Sequence, residues 1–400
     1  MAVFNSLGSN YTLSFVLKAL SNLGRKQDLE ILKKRLSEKY SGEVVLTYKG
    51  REALSLALQL CNLKESDYVG INGFTCYVVE KAVSDLNQHL FYIDIDPKTL
   101  NFTAEGLKKE VGRNPNLKVV VIQNTLGYPC EGEEISQICQ EKNLVLIEDL
   151  AHCVGTTYKN GQEAGTLGDL VILSFSQDKI VDGGSGGAVV IRNQNFRIPQ
   201  NLEWRAVGYY QQLLDRLYPL LTFIIRKTYL FKFGEVLHWL LKKSAILTSP
   251  INPKLPILMQ SLPSWCASLV VAALEDLPTN LGHRQKIARI YRETLDKEVV
   301  FDQLTPLVAN STNLRFPIKV EKRDELILFL KNQGIYVSDI WYDSPIGPKK
   351  YLHFSIYRSG SCPQGEQVAR KILNLPTHQD VTENEARKIS GAINQWLKQN

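Results

Sequence analysis

The chain has 400 residues, 44% of them hydrophobic and 22% charged, with a formal net charge of +6. That length and apolar share suit one large folded unit with a smaller one attached, and they exclude an intrinsically disordered chain. The opening M-A-V-F-N-S-L-G-S-N predicts no signal peptide, no apolar stretch is long enough to span a bilayer, and seven scattered cysteines without C-x-x-C or histidine ligand spacing argue against a zinc site or a disulfide framework.

A reduced, cytoplasmic setting fits that cysteine usage best. The positive charge does not indicate nucleic acid, because it is concentrated. Between Arg205 and Lys243 there are seven basic and two acidic residues, which places +5 of the +6 in one segment.

In chain order, the first forty residues predict helices, with apolar residues at helical spacing in L-S-F-V-L-K-A-L and D-L-E-I-L-K-K-R-L. After Val44-Val45-Leu46, K-G-R-E-A-L-S-L-A-L-Q-L predicts a turn glycine leading into a helix. Short apolar runs then alternate with helical ones: Tyr68 to Ile71, Leu90 to Ile93, Val119 to Ile122, Leu144 to Ile147, Val171 to Leu173 and Ala188 to Ile191. Near-continuous apolar strands are buried on both faces, so the fold class is α/β, a mostly parallel sheet flanked by helices. From about Asn193 the alternation stops. Residues 204–258 read as an all-helical basic and aromatic insertion, Ser264 to Leu295 as a long helical region broken near Pro278, and the remainder as a small α+β domain. The expected domains are therefore 1–203, 204–258 and 259–400.

In α/β sheets ligands sit at the carboxyl ends of strands. One such end carries E-D-L-A-H-C, giving Glu148, Asp149 and His152. The next carries S-F-S-Q-D-K, giving Ser174 and Lys179 ahead of four glycines. Another carries Q-N-T-L-G-Y-P. Gly50, Arg51 and Glu52 open a helix whose N–H groups suit an anion. Singly, most of these have plainer uses: Asp149 as a helix cap, His152 as a hydrogen-bonded core residue, Gly50 as a helix start. As an ordered set they suit a carbonyl cofactor with a phosphate and a basic ring nitrogen, pyridoxal 5'-phosphate. Lys179 would form a Schiff base with it, and a carboxylate would hold its ring nitrogen protonated.

The motifs V-L-I-E-D-L-A-H-C-V-G, A-G-T-L-G-D-L-V-I-L-S-F-S-Q-D-K and G-G-S-G-G-A-V-V resemble the core of the DegT-type (DegT/DnrJ/StrS) sugar aminotransferases, fold-type I pyridoxal-phosphate enzymes with a seven-stranded-type sheet. K-G-R-E-A-L, G-F-T-C-Y-V-V, N-T-L-G-Y-P-C-E-G-E-E-I and the closing C-P-Q-G-E-Q-V-A-R-K-I-L-N-L-P-T-H extend the resemblance over nearly the whole chain outside the insertion. It implies Lys179 as Schiff-base lysine and proton shuttle, Asp149 at the ring nitrogen, His152 on the ring-hydroxyl side and Ser174 at the phosphate. Gly50, Arg51 and Glu52 would form the phosphate turn, with Arg51 where the family usually has Thr. The family's stacking aromatic falls on Cys76, so stacking passes to Tyr77 or Phe74. The family's G-x-N-x-R-M pattern and its late histidine motif are absent, the latter region reading W-Y-D-S-P-I-G-P.

The implied reaction is transfer of an amino group from glutamate or a similar donor to a nucleotide-linked keto-sugar, in polysaccharide or secondary-metabolite biosynthesis, by a homodimer. The altered substrate-side motifs leave a second reading, a pyridoxal-phosphate-binding protein with changed or lost catalysis. Residues 209–243 suit a basic amphipathic helix at an inner membrane face; the plainer alternative packs their apolar stripe on the enzyme's own core or across a dimer.

Overall fold

A computed structural model describes residues 2–199, 202–244, 246–247 and 252–400. The chain begins with a two-residue strand β1 (Val3–Phe4), followed by α1 (Leu13–Ser21) and α2 (Lys26–Tyr40). Then come β2 (Glu43–Thr47), α3 (Gly50–Leu60), β3 (Tyr68–Asn72), β4 (Thr75–Cys76), α4 (Tyr77–Ser84), β5 (His89–Ile93) and α5 (Ala104–Arg113). The alternation continues with β6 (Leu117–Gln123), α6 (Gly132–Glu141), β7 (Val145–Asp149), β8 (Leu170–Ser174) and β9 (Gly187–Ile191).

Seven of these strands form one sheet in the order β2-β9-β8-β7-β6-β3-β5. β8, β7, β6, β3 and β5 run parallel, and β9 runs antiparallel to both neighbours. Alternate residues of a strand supply opposite faces. Val120, Ile122, Leu146, Val171 and Leu173 join one apolar cluster; Val119, Val121, Ile147, Ile172 and Val189 join another with Ala53, Leu54, Leu56 and Ala57 of α3. Burial on both faces is why these strands carry apolar runs instead of alternation, and it bears out the mostly parallel α/β sheet expected from them.

The insertion, expected to be all-helical over 204–258, holds two helices, α7 (Tyr209–Thr228) and α8 (Phe233–Lys243); positions 245 and 248–251 of that stretch lie outside the described residues. Its flanks meet where Arg205 bridges Gln260 in parallel. The stripe Leu213, Leu217, Leu220, Ile224 is not the buried face of α7. Asp215, Pro219, Thr222, Ile225 and Arg226 are buried instead. That polar face can be covered because its charges are paired: Arg226 binds Asp380 and the Tyr11 carbonyl, while Asp215 reaches the sheet as described below.

Next, α9 (Ser264–Glu275) and α10 (Leu277–Thr294) are separated at Asp276, with Pro278 tolerated in the first turn of α10. β10 (Phe316–Lys319), α11 (Arg323–Asn332), β11 (Ile335–Tyr336), β12 (Ile346–Gly347), α12 (Pro363–Lys371), β13 (Ile372–Leu375) and α13 (Glu383–Leu397) complete the chain. β10 pairs antiparallel with β13, whereas β12 pairs parallel with β4 and β11 parallel with β1, so the N-terminus is stitched into the C-terminal part.

Candidate active site

Register brings the helix start and a strand hydroxyl together. Gly187 of β9 lies opposite both Thr47 of β2 and Ser174 of β8, so the ends of β2 and β8 are one strand apart. The chain turns from Thr47 into α3 directly above. A Cβ on Gly50 would lie 2.6 Å from Ser174 Cβ and 2.8 Å from its Oγ, and a Cβ on Gly187 would meet the Lys49 carbonyl carbon at 2.6 Å. Only glycine permits this approach. The result is a helix N-terminus with its N–H groups beside a buried hydroxyl, which suits a phosphate.

Asp149 closes β7 and is buried; one of its oxygens accepts the Ala151 N–H at 2.9 Å. Burial pushes its carboxyl up from the usual range, and the nearby Lys179 pulls it back. Lys179 follows β8. Burial pushes its amine down, with Cys76, Asp149 and Asp178 opposing and Arg315 reinforcing. Its Nζ lies 4.9 Å from the centre of the Trp341 ring. His152, in the turn after β7, is held well below the usual imidazole range by burial and by the positive charges of Lys179 and Arg315. The Leu126 N–H and the Tyr342 hydroxyl both approach its Nδ1 at 3.4 Å. An amide can only donate, so Nδ1 is the acceptor and the ring hydrogen is assigned to Nε2.

The lysine loop is clamped by the N-terminus. Asp178 accepts from Ser9 N and Oγ at 3.1 and 3.2 Å, Asn10 Nδ2 donates to the Lys179 carbonyl at 2.9 Å, and Tyr11 OH donates to Asp182 at 3.0 Å. Glu148 is structural: it accepts from Tyr158 OH and from the N–H groups of Gly165, Leu167 and Gly168, tying the A-G-T-L-G loop to the central strand β7. Gln123 similarly ties Phe74 and Thr75 to the end of β6.

The other residues singled out from the sequence divide between the site and the framework around it. Glu52 is buried, with Oε2 accepting the N–H groups of Tyr48 and Gln260 at 3.0 and 3.2 Å, and burial pushes it up to about 7. Its carboxylate therefore pins the turn instead of facing an anion. Tyr77 stacks on Tyr351 with ring centres 5.5 Å apart, and Phe74 packs on Tyr342 at 4.8 Å. Cys76 lies close enough to Lys179 to act on its charge, and Arg51 sits beside Glu52, Tyr48 and Cys76.

Sequence reasoning missed four neighbours. Arg315, Trp341 and Tyr342 arrive from the C-terminal part. Asp215 arrives from α7, accepting from Tyr48 OH and Ser185 Oγ and lying 3.4 Å from Lys49 Nζ. No sequence signal links position 215 to position 48. The buried pair Tyr48–Asp215 exists only because α7 crosses the start of α3.

The described donors fit pyridoxal phosphate: a desolvated amine, a buried carboxylate with an oxygen to spare, a neutral imidazole, and a glycine-led helix start against Ser174. Among the described residues no cluster could hold a metal ion. The family model for DegT/DnrJ/EryC1/StrS aminotransferases matches residues 29–201 and 260–394. The GDP-perosamine synthase of Vibrio cholerae is 23% identical over 359 residues, covering 87% of this chain and 84% of that protein. Among solved structures, the aminotransferase TlmJ from Streptoalloteichus hindustanus superposes with a TM-score of 0.72 at 21% identity, all of both chains covered. Spr1654 of Streptococcus pneumoniae, solved in its PLP form, gives 0.72 at 16% identity over 100% of this chain and 99% of that one. The chain belongs to the DegT/DnrJ/EryC1/StrS aminotransferase family.

Proposed function

We propose that this family member, a pyridoxal-phosphate-dependent aminotransferase, moves the amino group of a glutamate-type donor to a nucleotide-linked keto-sugar, with Lys179, Asp149 and His152 as its catalytic residues. The cofactor, when bound, supplies an aldehyde to capture amines and a ring that draws off electrons. Lys179 Nζ is held by the clamped loop and partly dehydrated, which favours the neutral amine that attacks carbonyls and would move a proton between the substrate α-carbon and the cofactor's carbonyl carbon. Asp149 offers its second oxygen to the ring nitrogen, and a proton held there raises the ring's electron demand. His152 Nε2–H can donate to the ring oxygen. Gly50 and Ser174 take the phosphate, aided by Arg51, whereas Glu52 keeps the turn in place.

The observation that carries this reading is the partly buried Lys179 amine set close to the buried Asp149 carboxylate, with Asp149 one strand from the Gly50–Ser174 contact. The sugar nucleotide as acceptor is supported by relatives such as the GDP-perosamine synthase. Reductive trapping with borohydride tests the assignment: it should leave a pyridoxyl group on the peptide containing Lys179, and glutamate should bleach the cofactor absorbance of the wild type but not of Lys179→Ala. A trapped Lys179 whose absorbance no amino donor bleaches would favour altered catalysis.

We further propose that α8 meets an anionic membrane surface. Phe231, Phe233, Val236, Trp239 and Leu240 are exposed, Phe231 by 82% and Trp239 by 58%, and Lys232, Lys242 and Lys243 flank them. No helix among the described residues is long and apolar enough to cross a membrane. An aromatic face edged by lysines suits shallow seating among acidic headgroups. Flotation with phosphatidylglycerol vesicles at low salt should carry the protein, and Phe231→Asp with Trp239→Asp should abolish it. If those changes alter sedimentation of the free protein but not flotation, the face pairs two copies instead.

A further inference from the structure

Among the described residues, Arg284 and Arg315 are the two arginines less than 2% exposed, and their treatment differs. Arg284 is fully engaged: Nε donates to Asn280 at 2.9 Å, Nη1 to the Leu314 carbonyl and Thr377 at 3.1 and 3.0 Å, and Nη2 to Asn10 at 2.8 Å. Arg315 is 1% exposed, and its one hydrogen bond among the described residues is a 3.4 Å approach of Nη1 to the carbonyl of the preceding residue. Its Nε and Nη2 have no partner. An unpaired buried guanidinium is costly, and folded proteins keep such groups where a ligand completes them.

The position points to the ligand. The Arg315 guanidinium carbon lies 5.1 Å from the centre of the Trp341 ring, the same ring that stands 4.9 Å from Lys179 Nζ. Its charge is felt by both Lys179 and His152. The acidic groups that act on it are spoken for: Asp178 by the Gly8–Ser9 turn, and Asp339 by the Trp341 indole N–H at 3.2 Å. What remains is a buried cationic fork whose Nε and Nη2 lack a protein partner, near the reacting amine.

We infer that Arg315 receives the α-carboxylate of the amino donor, with the Trp341 ring as the wall between that carboxylate site and Lys179. This rests on the aminotransferase reading. A donor must bring its α-carbon to Lys179, and the group attached to that carbon is a carboxylate whose two oxygens match a guanidinium fork. A keto-sugar carries no charge next to its carbonyl, and its diphosphate lies several bonds away. The fork therefore distinguishes the two half-reactions, filled by the donor and left unfilled by the sugar.

Cofactor-loaded wild type, Arg315→Gln, Arg315→Met and Arg315→Lys test the assignment. All four should trap cofactor at Lys179 equally. The glutamate concentration that half-saturates cofactor bleaching should rise roughly 30-fold or more in each variant, as expected when one partner of a buried charge pair is removed. Glutarate, which has carboxylates but no amine, should raise the Tm of the wild type and not of Arg315→Met. Without ligand, Arg315→Met should melt no lower than wild type, because an unpaired cation has been removed; a purely structural arginine gives the opposite sign. Wild-type half-saturation in folded, loaded Arg315→Lys or Arg315→Gln, or equal glutarate shifts in wild type and Arg315→Met, overturns the inference. Failure to trap cofactor in the wild type overturns the aminotransferase site itself, and is read separately.

Discussion

Asn10 Nδ2 donates to the carbonyl of Lys179 at 2.9 Å and also reaches Asp182 at 3.3 Å, while Asn10 Oδ1 accepts from Arg284. One side chain near the start of the chain thus holds the loop that carries the reactive amine and neutralises no charge in doing so. Asn10→Ala should lower stability by about 2 kcal/mol in urea unfolding, the sum of modest net contributions from bonds of this type. It should also slow turnover by roughly tenfold through looser placement of Lys179. Unchanged turnover at normal cofactor content would show that the loop holds its shape without this clamp.

The contact between Gly50 and Ser174 leaves no room for a methyl group. Gly50→Ala should weaken cofactor retention by roughly tenfold or more, since the helix start must move from the position where its N–H groups meet the phosphate. Equilibrium dialysis against pyridoxal phosphate reads this directly. Ser174→Ala, which removes one hydrogen bond without moving the helix, should cost less.

Glu52 supplies a pH signature. Its folded pKa of about 7 lies above the ordinary glutamate value, so the folded state holds the proton more tightly than the unfolded chain does. Stability from this group is full below the unfolded pKa and is lost as pH rises towards about 7. Because both backbone N–H groups bind the same Oε2, Glu52→Gln can keep both bonds and remove the titration. The variant should match wild type near pH 4 and exceed it at pH 8 by up to about 3 kcal/mol in urea unfolding. An advantage that is flat across that range would mean the carboxylate is not the titrating group.

Asp215 joins the insertion to the catalytic half. Truncation in Asp215→Ala leaves Tyr48 OH and Lys49 Nζ in a buried setting without their acid, a loss of about 3 kcal/mol, and calorimetry should record a Tm several degrees lower. Asp215→Asn, which preserves an acceptor, should recover part of it. A wild-type Tm for the alanine variant would detach α7 from the stability of the α3 turn.

Much of the candidate site was legible because its parts lie at strand ends. The apolar runs over 145–147 and 171–173 located two strands, and Asp149, Ser174 and Lys179 followed from where those runs stop. Glu52 and Tyr77 were placed at the cofactor by position alone. In the structure the Glu52 side chain accepts the Gln260 backbone N–H and the Tyr77 ring stacks on Tyr351.

Sequence by itself determined the α/β sheet and the order of chemical groups along it, because burial on both faces forces an apolar run that any window of residues reveals. Tertiary structure alone decided what covers those groups. In L-R-F-P-I-K-V the alternation places Arg315 on the same side as the exposed Lys319, yet Arg315 is buried beside Trp341 and Lys179. Residues 8–11 likewise read as the approach to a helix, and nothing local ties them to residues 178–182. Periodicity reports which side of an element is covered; it carries no record of the distant segment that covers it.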